Sequence, residues 1–240
     1  MKIFCSCFFI FALLFGLDEL HAQKVLLSEE PAADTLQPVW GQNRRHYAHV
    51  FMGMYFATPP ETKGGSVVYG LSNAFGMGLR YKYKLSKFCA FGTDLYYYKS
   101  VFNVLQDSKK LLPNSILHEK ERYIFNSAGL SVFQRINFGR RGNILGKYLD
   151  VGVHGLLNVA TRYHVRDKVN GPSEFVDSYF KNPGYIKDFQ YGLLLRAGWN
   201  NFALEANYRL SDMFSKINNS SLPETPRLSV GLDLALAFRN

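Results

Sequence analysis

The chain has 240 residues, 28 lysines and arginines against 19 aspartates and glutamates, and a formal charge of +9, with 47% apolar and 15% aromatic residues. That length suits one domain. The six scattered histidines and three cysteines form no Cys-x-x-Cys and no His-Glu-x-x-His spacing, which excludes the familiar zinc sites. The cations lie mostly along alternating stretches, which argues against nucleic acid as a partner.

Met1 and Lys2 precede an apolar run from Ile3 to Leu17 and then Asp18-Glu19-Leu20-His21-Ala22-Gln23. One positive charge, about fifteen apolar residues and a small residue before a polar stretch form a secretory signal peptide, since a spanning helix needs about twenty. Residues 1–22 are therefore expected to be cleaved after Ala22, leaving 240 − 22 = 218 residues with charge 9 − 1 + 2 = +10 and one cysteine, Cys89. Cys5 and Cys7 lie inside the apolar run, without the small residues that precede a lipidated cysteine. One exported thiol gives no disulfide framework. Beyond residue 22 no stretch could span as a helix, so a membrane protein of this sequence must be a β-barrel.

Residues 23–45 contain Glu29-Glu30-Pro31 and Asn43-Arg44-Arg45 without sustained periodicity and read as a loose periplasmic extension. Asp34-Thr35-Leu36 resembles the acceptor triplet for O-linked glycans in exported proteins of the Bacteroidota, with Thr35 as the acceptor.

From His46 onward eight strand-like runs follow: His46–Phe56, Asn73–Leu85, Phe88–Phe102, Arg122–Asn137, Lys147–His164, Asp188–Trp199, Phe202–Ser211 and Arg227–Phe238. Each is near or above the nine to eleven residues that cross a bilayer at a tilt. In the second, Phe75, Met77, Leu79, Tyr81 and Tyr83 alternate with Gly76, Gly78, Arg80, Lys82 and Lys84. In the fifth, Leu149, Val151, Val153, Leu157, Val159 and Tyr163 share one face, with Asp150, Gly152, His154, Asn158 and Arg162 on the other. The last alternates from Leu228 to Phe238 against Ser229, Gly231, Asp233, Ala235 and Ala237. The first and fourth runs alternate poorly, which leaves their register open.

Connections alternate in length. Ser86-Lys87, Phe138 to Gly146 and Asn200-Asn201 are tight; Ala57 to Ser72, Asn103 to Glu121, Val165 to Lys187 and Asp212 to Pro226 are long. Short periplasmic turns and long extracellular loops are the pattern of outer-membrane barrels, and eight strands leave both termini periplasmic. Alternation alone would also fit a soluble barrel with its apolar face inward. Glycines on the polar face and aromatics near strand ends favour the membrane form. The glycines would relieve crowding in a narrow lumen. Tyr81, Tyr83, Phe88, Phe91, Tyr148, Trp199, Phe202 and Phe238 would make one interfacial girdle; Phe75, Tyr97, Tyr163, Phe189 and Tyr191 would make the other. The expected fold is thus all-β, an eight-stranded antiparallel up-and-down transmembrane barrel.

Counting back from the tight turns sets Arg196 opposite Glu205 and Arg80 opposite Asp94. Opposite charges across two hairpins are what a packed, non-conducting lumen requires, and Asp150, His154, Arg162, Arg209 and Asp233 are expected to extend the network. Arg140, Arg141 and Lys147 read as a solvated basic turn.

Ala22-Gln23, the segment Asn207-Tyr208-Arg209-Leu210-Ser211-Asp212 and a final strand ending in Phe238 resemble the small outer-membrane barrels of the Bacteroidota, the porin-like group that includes PorT-type proteins. Phe238 is followed by Arg239 and Asn240, a departure from barrels that end on the aromatic. The resemblance spans about residues 46–240 and carries over no functional residue. It implies an accessory subunit of secretion, assembly or gliding machinery, in contact with outer-membrane lipid including lipopolysaccharide and with other outer-membrane or periplasmic proteins. The reading is non-enzymatic and needs no cofactor. Two alternatives stand beside it. A lipid A-modifying enzyme would draw on His164 and Ser178; a small-solute channel would need an open lumen.

Overall fold

A computed structural model describes residues 39–59, 64–139, 142, 144–169, 174–216 and 222–236. The expected signal peptide, the extension up to residue 38 with Thr35, the pair Arg140-Arg141 and Phe238 lie outside the described residues.

Among the described residues nine strands follow in chain order: β1 (His46–Thr58), β2 (Asn73–Lys84), β3 (Cys89–Asn103), β4 (Lys120–Phe138), β5 (Lys147–Lys168), β6 (Phe175–Lys181), β7 (Phe189–Trp199), β8 (Phe202–Arg209) and β9 (Leu228–Leu236). All pairings are antiparallel, in the order β4-β3-β2-β1-β9-β8-β7-β5, and a further β4–β5 pairing closes the ring. The fold is an eight-stranded up-and-down barrel, with β6 added outside the ring.

The tight turns have local causes. Asn200 takes φ 54°, a conformation asparagine tolerates, and its side-chain oxygen accepts the Gly146 amide at 3.1 Å. Ser86 Oγ accepts the amides of Phe88 and Cys89, at 3.3 and 3.0 Å. These turns set the register with Arg80 opposite Asp94 and Arg196 opposite Glu205. Among the described residues β1 begins and β9 ends at the short-turn end of the barrel.

The two faces point the opposite way from those of a soluble barrel. Arg80, Asp94 and Arg196 are each 1% exposed and point inward, whereas Leu79, Leu95 and Leu193 point outward at 59%, 62% and 48%. Such a wall satisfies its backbone within the ring and offers hydrocarbon to its surroundings. At the short-turn end Phe88, Phe138, Trp199 and Phe202 stand exposed; Phe75, Tyr97, Phe189 and Tyr191 do so nearer the long loops. Two residues expected in these girdles turn inward instead. Tyr148 lies under the Arg135 guanidinium, 3.6 Å from it, and Tyr163 stacks on Tyr123 at 4.9 Å. Space inside is tight enough that a Cβ on Gly198 would overlap the Tyr148 ring, and one on Gly53 would overlap Asp233.

The stretch Val165 to Lys187, expected as a loop, holds a further hairpin. β5 continues to Lys168 and β6 runs back along it, Arg162 opposite Lys181 through Lys168 opposite Phe175. A bulge precedes it: Asn126 pairs with Ala160 and Ser127 with Asn158, so Val159 is an extra residue on β5. One extra residue flips every side chain beyond it. Below the bulge the even-numbered residues of β5 point inward. Above it Thr161, Tyr163 and Val165 are buried inside while Arg162 is exposed outside.

The end of the extension is not loose. The Val39 carbonyl accepts the His46 amide, the Gln42 carbonyl accepts Lys82 Nζ at 2.5 Å, and Asn43 donates to the Gly142 carbonyl at 2.7 Å. Residues 39–45 thereby cover part of the short-turn mouth.

Candidate functional site

Halfway along the lumen, every strand of the ring contributes one residue to a single polar belt. Arg196 on β7 reaches Glu205 on β8 at 2.6 Å, Asp94 on β3 at 2.9 Å, Asp150 on β5 at 3.0 Å and Asp233 on β9 at 3.4 Å. Arg80 on β2 forks onto Asp94 at 2.9 and 3.1 Å and reaches Asp233 at 3.0 Å. Arg135 on β4 forks onto Asp150 at 2.7 and 2.8 Å, and Tyr55 on β1 donates to Asp233 at 2.5 Å. Planar forks meeting carboxylates two bonds at a time are the strongest and most directional of such contacts. Phe51 lies 4.1 Å from the Arg80 guanidinium, and Phe133 lies 5.2 Å from that of Arg196. The belt fills the bore with side chains.

Of the nine residues expected in the lumen network, Arg80, Asp94, Asp150, Arg196, Glu205 and Asp233 meet in this belt. Arg162 does not, because the Val159 bulge turns it to the outer face. His154 stands four residues beyond Asp150, about 13 Å along the strand. Its Nδ1 has no partner among the described residues, and it borders a cavity of about 70 Å³. That volume suits a few waters between the belt and the loops. Arg209 sits at the far mouth as a loop anchor, donating to Glu224 at 2.7 Å and to the Ser211 and Thr225 carbonyls. Sequence reading missed Arg135 and Tyr55 on the two strands of poor alternation. The sum that pairs Phe138 with Lys147 also pairs Arg135 with Asp150, so the tight β4–β5 connection held the clue.

Both mouths are covered. At the short-turn end Tyr47, Leu145, Tyr148, Ala203 and Ala235 pack together. At the long-loop end an apolar cap forms around Tyr123, Phe125, Tyr163, Ile186 and Phe214. Beside it Lys110 and Glu121 form a fully buried pair, and Glu121 accepts the Tyr163 hydroxyl at 2.8 Å.

Outside, the hairpin extension presents two faces. On the outward one Arg122 donates to His164 Nδ1 at 2.9 Å, His164 Nε2 meets Asp177 at 2.7 Å, and Arg166 forks onto Asp177 at 2.8 and 2.9 Å. Hydrogen bonds from Arg166 and then His164 hold the exposed Asp177 carboxyl down at about 2. Tyr179 stacks on His164 at 4.5 Å. Ser178 pairs with Val165, on the other face of β6, so the structure does not bring the Ser178 hydroxyl and His164 together. Among the described residues no group of three or more His, Cys, Asp or Glu could hold a metal ion.

No protein-family profile matches the chain. No curated protein matches it either. Among solved structures it is similar to Ail, the attachment invasion locus protein of Yersinia pestis, determined in complex with the heparin analogue sucrose octasulfate. Identity is 14%, the match covers 78% of this chain and 94% of that one, and the TM-score is 0.27. So loose a superposition transfers no residue and no ligand.

Proposed function

We propose that this chain is a sealed outer-membrane barrel that works by binding other proteins, as a non-enzymatic accessory subunit of a larger secretion, assembly or gliding type complex. The short-turn end would face the periplasm, with both termini, and the long loops the exterior. One observation carries the reading: above a lumen crossed by the charged belt stands a strand with an open edge. β6 pairs with β5 alone, and among the described residues no strand takes its other edge. Val176 and Phe180 stand 51% and 54% exposed on the face opposite His164. This seven-residue edge, with its exposed apolar side chains, leaves main-chain donors and acceptors free to pair with an added strand from a partner. Residues 39–45, docked at the periplasmic mouth, offer a second place of attachment.

The test is purification of tagged protein from native outer membranes in mild detergent. The expected result is a fixed-ratio set of larger envelope proteins, lost when Val176→Lys and Phe180→Lys are combined while the barrel still folds. Recovery of a lone monomer from wild type, or an unchanged set from the variant, would overturn the β6 docking. Planar bilayers holding the protein are expected to stay silent. Steady unit conductance would replace this reading with that of a channel, and a change in lipid A mass on deleting the protein would replace it with that of an enzyme.

A further inference from the structure

The outward face of β4, β5 and the β6 hairpin carries Lys120, Arg122, Arg162, Arg166, Lys168 and Lys181 against Asp177 and Glu119, an excess of 6 − 2 = 4 positive charges. Asp177 engages Arg166 and His164, and Glu119 engages Lys168 at 3.2 Å. Among the described residues no hydrogen bond or ion pair ties down Lys120, Arg162 or Lys181. Arg122 donates through its Nε to His164, and among the described residues its two terminal nitrogens have no hydrogen bond or ion pair. Three strands about 4.8 Å apart therefore present an oriented group of cations with no protein counter-charge to match.

Below them on the same wall lies an apolar groove of about 520 Å³. Ala128 and Leu130 on β4, Gly155 and Leu157 on β5, and Phe189 and Tyr191 on β7 line it, with the edge of the Phe189 ring against Gly155. Its size is that of a ligand cleft, about 300–1,000 Å³. The depths agree. Val153, opposite Leu193, is near the middle of the apolar wall, and Arg162 stands eight paired steps above it once the bulge is discounted. At about 3.3 Å per step and a tilt of about 40°, that is about 20 Å above the midplane, beyond a hydrocarbon half-thickness of about 15 Å and level with headgroups.

We propose that this cationic face and the groove beneath it form one binding site for a phosphorylated, multiply acylated lipid of the outer leaflet, its phosphate on Arg122, Arg162 and Lys181 and an acyl chain along Ala128 and Gly155. The bulge at Val159 is what builds the site, because it brings Arg162 and His164 out of the lumen onto the wall. A phosphate suits the arrangement: guanidinium forks take two of its oxygens at a time, and an anionic surface attracts the remaining charge. The site rests on the outer-membrane placement proposed above.

The experiment is native mass spectrometry of the detergent-solubilised barrel with added bisphosphorylated lipid A, with fully dephosphorylated lipid A as the comparison. The expected result is a one-to-one adduct with the phosphorylated lipid that excess inorganic phosphate does not reproduce. Combining Arg122→Ser, Arg162→Ser and Lys181→Ser should weaken it by roughly a hundredfold, at about a factor of five per cation near an anionic headgroup. Ala128→Leu, which fills the groove and leaves the cations in place, should weaken it by about tenfold through loss of chain contact. Equal adducts with both lipids, or an adduct unchanged in the triple variant, would overturn the site. Displacement by inorganic phosphate alone would show an anion site without a lipid and would overturn it too. All these substitutions face outward, so folding is checked separately by gel mobility. Membrane placement itself is read by a different variant, Leu232→Arg, so the two failures are distinguishable.

Discussion

Replacing Arg196 with methionine is expected to destabilise the barrel by about 3–5 kcal/mol, the usual cost of removing one partner from a buried ion pair. Arg196 contacts four carboxylates, all nearly inaccessible to solvent. Methionine would fill most of its volume, so the loss would come from Asp94, Asp150, Glu205 and Asp233 facing one another with less positive charge between them. Arg80 and Arg135 would keep partial hold of Asp94, Asp233 and Asp150, whereas Glu205 would keep only Arg80 at 4.0 Å and the amide of Asn207. Adding Glu205→Gln to Arg196→Met is therefore expected to restore about half the loss. Arg135→Met should cost less, because Asp150 retains Arg196. The measurement is urea-dependent folding into lipid vesicles, followed by the gel shift between folded and unfolded forms. Unfolding of Arg196→Met within about 0.5 kcal/mol of wild type would mean the belt does not act as a structural unit.

How much of this was legible in the sequence depends on where register could be anchored. Tight turns at Ser86-Lys87 and Asn200-Asn201 fix a strand pair by counting, so Arg80 opposite Asp94 and Arg196 opposite Glu205 could be written down before any coordinates. Alternation gave the eight ring strands, because period-two patterning is local chemistry read directly from side chains. The Val159 bulge was not legible. A single unpaired residue leaves the hydrophobic pattern almost intact, and Tyr163 fits an outward aromatic girdle as well as the inward cap it forms with Tyr123. One missed residue reversed Arg162 and Tyr163 together. β6 was hidden for a related reason: both of its faces are largely exposed, so no inside-outside alternation marks it. The extension's last residues dock through main-chain carbonyls, Val39 and Gln42 among them, which leave no trace in residue type.

A single outward substitution decides whether the exposed apolar wall lies in lipid. Leu232→Arg on β9 is expected to cost about 2–4 kcal/mol of folding stability in bilayers, as a cation at the midplane does. Leu232 is 65% exposed, between Met54 and Leu204, which are themselves 55% and 53% exposed, so the new side chain would meet surroundings and not protein core. In water the same exchange at an exposed site would change stability by no more than about 0.5 kcal/mol. The two environments therefore predict effects of different size from the same structure. Depth sharpens the test. Leu193→Arg, opposite Val153, should cost as much as Leu232→Arg, whereas Val159→Arg at the bulge should cost only about 0–1 kcal/mol, because the penalty fades toward the interface where Arg162 already stands. Folding efficiency and urea midpoints of the three variants in vesicles give the profile. A graded loss, largest at Leu232 and Leu193, fits a wall facing hydrocarbon. Three variants as stable as wild type would refute the assignment of inside and outside, and with it the membrane placement on which the lipid site depends.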